Sequence, residues 1–229
     1  MLRHICRRYS TATKHLKNVN VISEALKNED FFNVKSLVNL RDLFKAKMFI
    51  GHNHGCRHEN FKDYLFGVRL GVDIIDLDKS LERFHLALNV LSHIVFRGGI
   101  VVFVCRENYR FAHQVDRLAL QCGETSFTRP FLTGTFSNHI QRFGSNVQLP
   151  SVFVFFSVHN SIFELHPAVT ESARMTTPSI GIVDSNCDPS LITYPIPGCD
   201  DSLSSFQLYS KCFETAILNA KAKRKELIE

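Results

Sequence analysis

Two short runs, "IVVFVC" at Ile100–Cys105 and "VFVFF" at Val152–Phe156, are apolar at every position. A strand with one wet face alternates apolar and polar residues; a run with no polar position marks a strand covered on both sides, as in a parallel sheet between helical layers. "SIGIVD" is a third such piece. Between the runs, Leu81, Phe84, Leu88, Leu91 and Val95 recur at near-helical spacing, with Asp78 or Ser80 placed to cap and Gly98-Gly99 to stop the helix. Further helices are expected over about 109–121, 163–174 and 201–225, with a short strand near 125–128. Strands alternating with helices predict an α/β fold with a parallel sheet. Upstream, "MFIG", "YLFGV" and "VDIIDL" are β-prone pieces punctuated by Gly51, Gly67 and Gly71. Phe31, Phe32, Leu37, Leu40, Leu43 and Phe44 argue for a helix or two in an N-terminal extension over residues 10–45, ahead of a main domain at 46–229.

A chain of 229 residues, 45% hydrophobic and 21% charged, can bury one substantial core. Its apolar runs fall far short of the roughly 20 residues that span a bilayer as a helix. Seven cysteines with no C-x-x-C pair suit a reducing compartment. The first residues, "MLRHICRRYSTATK", hold Arg3, Arg7 and Arg8, and no acid precedes Glu24. That composition, without a long apolar centre, predicts a mitochondrial targeting segment at residues 1–9, cut at "RRYS" after Tyr9; a disordered basic tail is the plainer alternative. Removing those three arginines lowers the formal charge from +5 to +2, so composition alone does not demonstrate a polyanionic partner.

In an open parallel sheet, function gathers beyond the carboxyl ends of the strands, where Arg106, Ser157 and Asp184 are expected to emerge. A strand followed by Asp raises the alternative of a metal-dependent phosphotransferase with Asp184 as nucleophile. Such enzymes need a second carboxylate two residues on, and that position is Asn186. No G-x-G-x-x-G, G-x-x-x-x-G-K-[ST] or G-x-S-x-G is present. Asp188 before Pro189 suits a turn, and Asp200 and Asp201 are placed to accept the free N–H groups of the last helix. In "GHNHGCRH", His52, His54, Cys56 and His58 stand at alternate positions, without the reversal that would wrap ligands around a zinc ion. Basic residues are scattered over predicted loop and helix ends, where side chains can reach phosphates: Arg57, Arg69, Arg97, Arg106, Arg110, Arg129, Arg142, and the final cluster Lys221, Lys223, Arg224 and Lys225. For that cluster, complementing the last helix's own dipole is the rival role.

Four stretches in order, "YLFGVRLGVDIIDLDKS", "RGGIVVFV", "GIVDSNCDP" and "YPIPGCDDS", resemble the motifs of the universal small-subunit ribosomal protein S-two family over residues 45 to 220. Together with the targeting segment, the chain is similar to the mitochondrial branch. The resemblance implies a flavodoxin-like three-layer sandwich with a mainly parallel central sheet. It implies a non-enzymatic constituent of the mitochondrial small ribosomal subunit, in the matrix, without a membrane span and with no homo-oligomer expected. Its implied partners are small-subunit ribosomal RNA and other mitochondrial small-subunit ribosomal proteins. Gly51-His52 matches the family's Gly-His pair, Arg57 falls near its basic step, and Arg97-Gly98-Gly99 matches its helix-to-strand turn. The resemblance also sets His52 near the strand ends that carry Asp184, Asp200 and Asp201; gathered carboxylates need a cation or N–H groups, so a divalent ion, zinc or magnesium, is one expected occupant. Bacterial members carry a long helical hairpin where this chain runs from Asn138 to the next strand in about a dozen residues, so the hairpin is expected to be absent. Phe131 and Thr133 replace that segment's usual Trp and first Gly.

Overall fold

A computed structural model describes residues 25–28, 30–106, 109–144, 147–161 and 164–227. The expected targeting segment, residues 1–9, and residues 10–24 of the expected extension lie outside them. After a 3-10 turn at Val34–Ser36 comes α1 (Leu40–Lys45), then β1 (Ile50–Asn53), β2 (Leu65–Arg69) and β3 (Val72–Ile75), an antiparallel sheet in the order β1-β3-β2. The long α2 (Leu77–Phe96) leads into β4 (Val101–Val104), α3 (Ala112–Cys122) and β5 (Thr125–Phe127). There follow α4 (His139–Phe143), β6 (Val152–Phe155), α5 (Pro167–Arg174), β7 (Ser179–Val183), β8 (Tyr194–Pro197) and α6 (Leu203–Leu227). The five later strands form one sheet, β5-β4-β6-β7-β8, with every neighbouring pair parallel. Counted from β4 the order is 2-1-3-4-5, the flavodoxin-like doubly wound arrangement.

The all-apolar runs are explained by two cores. Val101 and Phe103 of β4, with Val152 and Val154 of β6 and Ile180 and Ile182 of β7, belong to a cluster with α2, α3 and α6. Val102 and Val104, Phe153 and Phe155, and Val183 belong to a second cluster with α5 and with Phe61 and Ile75 from the antiparallel segment. Because successive side chains of a strand point to opposite faces, each position had to be apolar. Phe32, Val34, Val38 and Leu43 are buried in the first cluster, so the described end of the expected extension is part of the main core.

Local signals account for most boundaries. α2 is capped by Asp76, whose side chain accepts from the Asp78 N–H at 3.1 Å, rather than by Asp78 or Ser80; the Ser80 hydroxyl donates to the Asp76 carbonyl. It ends at Gly98, whose φ of 84° is left-handed. β8 was not expected, because Pro195 and Pro197 break the donor ladder; it is an edge strand with a single neighbour, the place in a sheet where proline is tolerated.

Between β5 and β6, α4 with its five residues is the only helix among the described residues, and no helical hairpin is present there. The loop before α4 closes on an aromatic group, Phe127, Phe131, Phe136 and Phe153. Glu171 of α5, 1% exposed, holds the loop's backbone: its two carboxylate oxygens accept from the N–H groups of Gly134 and of Phe136, the latter at 2.9 Å. Replacing Glu171 by alanine strands both donors, and bonds to a buried charge are the strong ones. We expect Glu171→Ala to lose about 2–4 kcal/mol in urea unfolding and Glu171→Gln to lose less.

Candidate functional site

The crevice at the carboxyl ends of β4, β6, β7 and β8 is where this topology places ligands. Here it is filled by the protein's own charges. Asp184, 1% exposed, follows β7; its Oδ1 accepts from the Ser185 N–H at 2.5 Å, and its Oδ2 lies 3.1 Å from Nδ1 of His52. The second ring nitrogen of His52 lies 3.5 Å from Oδ2 of Asp201, and Arg106 donates to Oδ1 of the same carboxylate at 2.5 Å. Arg106 also stacks over Tyr109, whose hydroxyl donates to the Asp200 carbonyl at 2.7 Å. The Asp200 side chain is buried beneath, and its Oδ1 has no hydrogen-bond partner among the described residues.

His52 reaches this place from the other sheet, at the end of β1. The approach depends on Gly51: a Cβ there would stand 2.9 Å from the Ser185 hydroxyl oxygen, the atom that accepts the His52 N–H at 2.8 Å. The His58 N–H donates to the Ser185 carbonyl at 2.9 Å. Ser185 was not anticipated, and the neighbouring glycine in "IGHN" was its one trace in the sequence.

Asp188 does cap the 3-10 turn Pro189–Leu191, accepting from the Ser190 N–H at 3.0 Å. Asp200 and Asp201 behave otherwise than expected: they line the crevice, and neither side chain accepts an N–H of α6 among the bonds of the described residues. The Asp184 carboxylate, 3.1 Å from the ring, raises the imidazole of His52 to about 9 against the opposing effect of burial. Burial raises Asp200 to about 7, with Asp184 and Asp201 adding like-charge repulsion and the Ser157 hydroxyl and Arg106 pulling the other way. Among the described residues no three of His, Cys, Asp and Glu are arranged to hold a metal ion. The arrangement does one thing well: it balances charge.

The expected RNA-binding cations divide in two. Arg57 donates through Nε and Nη2 to the fully buried Asp73, with Nε 2.9 Å from Oδ2, and His54 lies 3.4 Å from the same carboxylate. Arg142 donates to the Thr133 carbonyl at 3.3 Å. Lys221 donates to the Cys122 carbonyl at 2.6 Å and pairs with Glu124. Lys223 donates to the Phe31 carbonyl and lies 4.4 Å from that ring's centroid. The Arg224 guanidinium packs where a side chain at Gly98 would be. The basic end of α6 thus serves the C-terminal ends of α2 and α3, whose last carbonyls favour cations. By contrast, the side chains of Arg69, Arg97, Arg110 and Arg129 are exposed and make no ion pair or hydrogen bond among the described residues. Arg110 and Arg129 follow β4 and β5 at the same end of the sheet; Arg97 lies at the opposite end and Arg69 at the tip of the β2–β3 hairpin.

Comparison with known proteins gives a consistent result. Residues 43–149 and 145–220 match the family described as Ribosomal protein S2, and the two matched segments meet between α4 and β6. The chain is 46% identical over 211 residues to small ribosomal subunit protein uS2m of Bos taurus, covering 92% of this chain and 72% of the relative. It is 27% identical over 223 residues to small ribosomal subunit protein uS2 of Paramagnetospirillum magneticum, covering 79% and 82%. For uS2 of Nitratiruptor the identity is 26% over 237 residues, covering 84% and 86%. The last alignment is longer than this whole chain, so the bacterial protein carries stretches that this one lacks.

The crevice has a pH signature of its own. His52 has a folded pKa above its ordinary 6.5, so its contribution is fully present below 6.5 and is lost as pH rises through about 9. Asp200 has a folded pKa above its ordinary 3.8, so the folded state favours the protonated acid and loses stability as pH rises towards about 7. Both act in one direction. Melting temperature of the isolated chain should fall between pH 6.5 and about 9, and His52→Gln should flatten that fall. An identical profile in the variant would show that His52 is not the titrating group.

Proposed function

The chain belongs to the ribosomal protein S2 family, and from that premise we propose that it is a structural constituent of the mitochondrial small ribosomal subunit, acting in translation. The 46% identity to a mitochondrial relative across 92% of the chain carries this reading and its location in the mitochondrial ribosome. No helix among the described residues is long and apolar enough to cross a membrane.

The finer reading is that it binds small-subunit ribosomal RNA at the end of the parallel sheet where β4 and β5 finish. Arg110 and Arg129 are exposed there and make no ion pair or hydrogen bond among the described residues. From Thr125 to Phe163 the chain contains no aspartate or glutamate, so nothing in that stretch repels phosphate. The paired cations, Arg57, Arg106, Arg142, Lys221, Lys223 and Arg224, hold the protein in shape and reach RNA only as part of that frame. Neighbouring ribosomal proteins are its other partners.

Its role is non-catalytic. As a phosphotransferase nucleophile Asp184 is badly placed, buried with one oxygen on the Ser185 N–H and the other against His52. Burial pushes up the neighbouring Cys187 and Cys199 thiols, the latter to about 12, which removes thiolate chemistry as well. Protonated His52, rather than a divalent zinc or magnesium ion, is the counter-charge for the carboxylates. Elemental analysis of intact subunits tests this, and a stoichiometric metal in this chain would overturn it.

A sucrose gradient of mitochondrial lysate should place the chain with the small subunit. In a salt series, replacing Arg110 and Arg129 together by alanine should weaken incorporation and reduce the log–log salt slope by about 0.7–0.9 for each phosphate that is no longer neutralised. Normal incorporation of the double variant at raised salt would put the RNA-facing side elsewhere. Wild-type chain sedimenting apart from the subunit would overturn the ribosomal role itself.

A further inference from the structure

The β2–β3 hairpin carries an apolar tip that the described chain leaves uncovered. Phe66 is 82% exposed, Val68 49% and Leu70 96%. A Cβ added at Gly67 or Gly71 would meet nothing within 4 Å, so the hairpin stands clear of the body. Arg69 pairs in register with Val72, which leaves Leu70 and Gly71 as a two-residue turn with φ of 52° and 76°. Turns of this kind favour Asn-Gly or Asp-Gly, because an L side chain in the left-handed region crowds its own backbone. Leu70 is therefore unsuited to its place twice over: its backbone is disfavoured, and its side chain faces water. Among the described residues nothing compensates for either.

We propose that Phe66, Val68 and Leu70 form a docking knob that enters an apolar pocket with an acidic rim on a neighbouring protein of the small subunit. The proposal rests on the ribosomal reading above and names a contact within it. Two observations choose the occupant. Of the three side chains only the Phe66 ring could stack on a base; Val68 and Leu70 have neither a flat ring nor a charge for a phosphate, so RNA would leave them exposed, whereas a protein pocket buries all three. Arg69 lies between them, exposed and without an ion pair among the described residues, while the closest acid in sequence, Asp73, is fully buried under Arg57. The tip thus presents one uncompensated positive charge, and an acidic rim complements it.

Leu70→Asn separates docking from folding, because asparagine tolerates the left-handed turn. The purified variant should melt no lower than wild type, yet its incorporation into mitochondrial small subunits should drop by roughly tenfold, the order of loss for one buried anchor. A photo-cross-linking residue at position 70 in assembled subunits should label a protein and not RNA. Arg69→Glu, at an exposed and unpaired position, should lower incorporation in the same way and decides the matter if Leu70→Asn melts early. The knob is disproved if wild-type chain sediments with the small subunit while Leu70→Asn and Arg69→Glu incorporate equally well, or if the cross-link goes to RNA. If wild-type chain itself fails to sediment with the subunit, the ribosomal reading and the knob fall together.

Discussion

A carboxylate buried at the end of a central strand needs a counter-charge, and in this protein it comes from a different sheet. Asp184 faces His52, and His52 also reaches Asp201, so one imidazole joins the end of β1 to the ends of β7 and β8. The geometry exists because Gly51 lets the backbone of β1 come against Ser185. The same contact that closes the two sheets together occupies the crevice where a doubly wound fold would otherwise take a ligand. A fold known for binding small molecules is thereby made into a rigid support.

The same economy of charge governs the basic residues. Arg57 neutralises a buried aspartate, Lys221 and Arg224 of α6 lie against the C-termini of α3 and α2, and Lys223 holds the Phe31 carbonyl. Such cations stabilise the frame but leave little positive potential for steering a polyanion, and the charge expected after loss of residues 1–9 is only +2. RNA attachment then falls to a few exposed arginines held at fixed places by the sheet. Affinity built from so few phosphate contacts is modest, and protein neighbours become necessary to hold the chain in the particle.

What could be read beforehand follows a simple division. β4, β6 and β7 were legible because burial on both faces writes itself into every residue of a strand, and α2 because Leu81 to Val95 repeat at helical spacing. Asp188 was legible as a cap because its partners are two residues away. Asp200 and Asp201 looked equally like caps, yet Asp201 meets Arg106, almost a hundred residues earlier, and His52, while the Asp200 side chain lies beside Ser157. β8 was hidden by its prolines, whose tolerance depends on being at an edge. Glu171 gave no signal at all, since its partners are backbone groups of a loop in another segment. The motif resemblance supplied what local reasoning lacked, bringing His52 to the acidic strand ends before any contact was known.

The absence of the bacterial hairpin and the closing of the crevice have a joint consequence for recognition. A chain with no helical hairpin among its described residues, and with the crevice at its strand ends filled by its own side chains, must meet its partners through what its body exposes. Among what the body exposes are two kinds of surface suited to this: arginines with no ion pair or hydrogen bond among the described residues, and apolar side chains raised on a hairpin. The first suits phosphates and carries no shape; the second carries shape and suits protein. Placement in a ribonucleoprotein needs both, because phosphate contacts alone would allow the chain to bind RNA in many registers, and a single fitted contact removes that freedom. The strained leucine at the hairpin tip, unsuited to its turn and exposed to water, is what such a fitted contact would look like from the side of one partner.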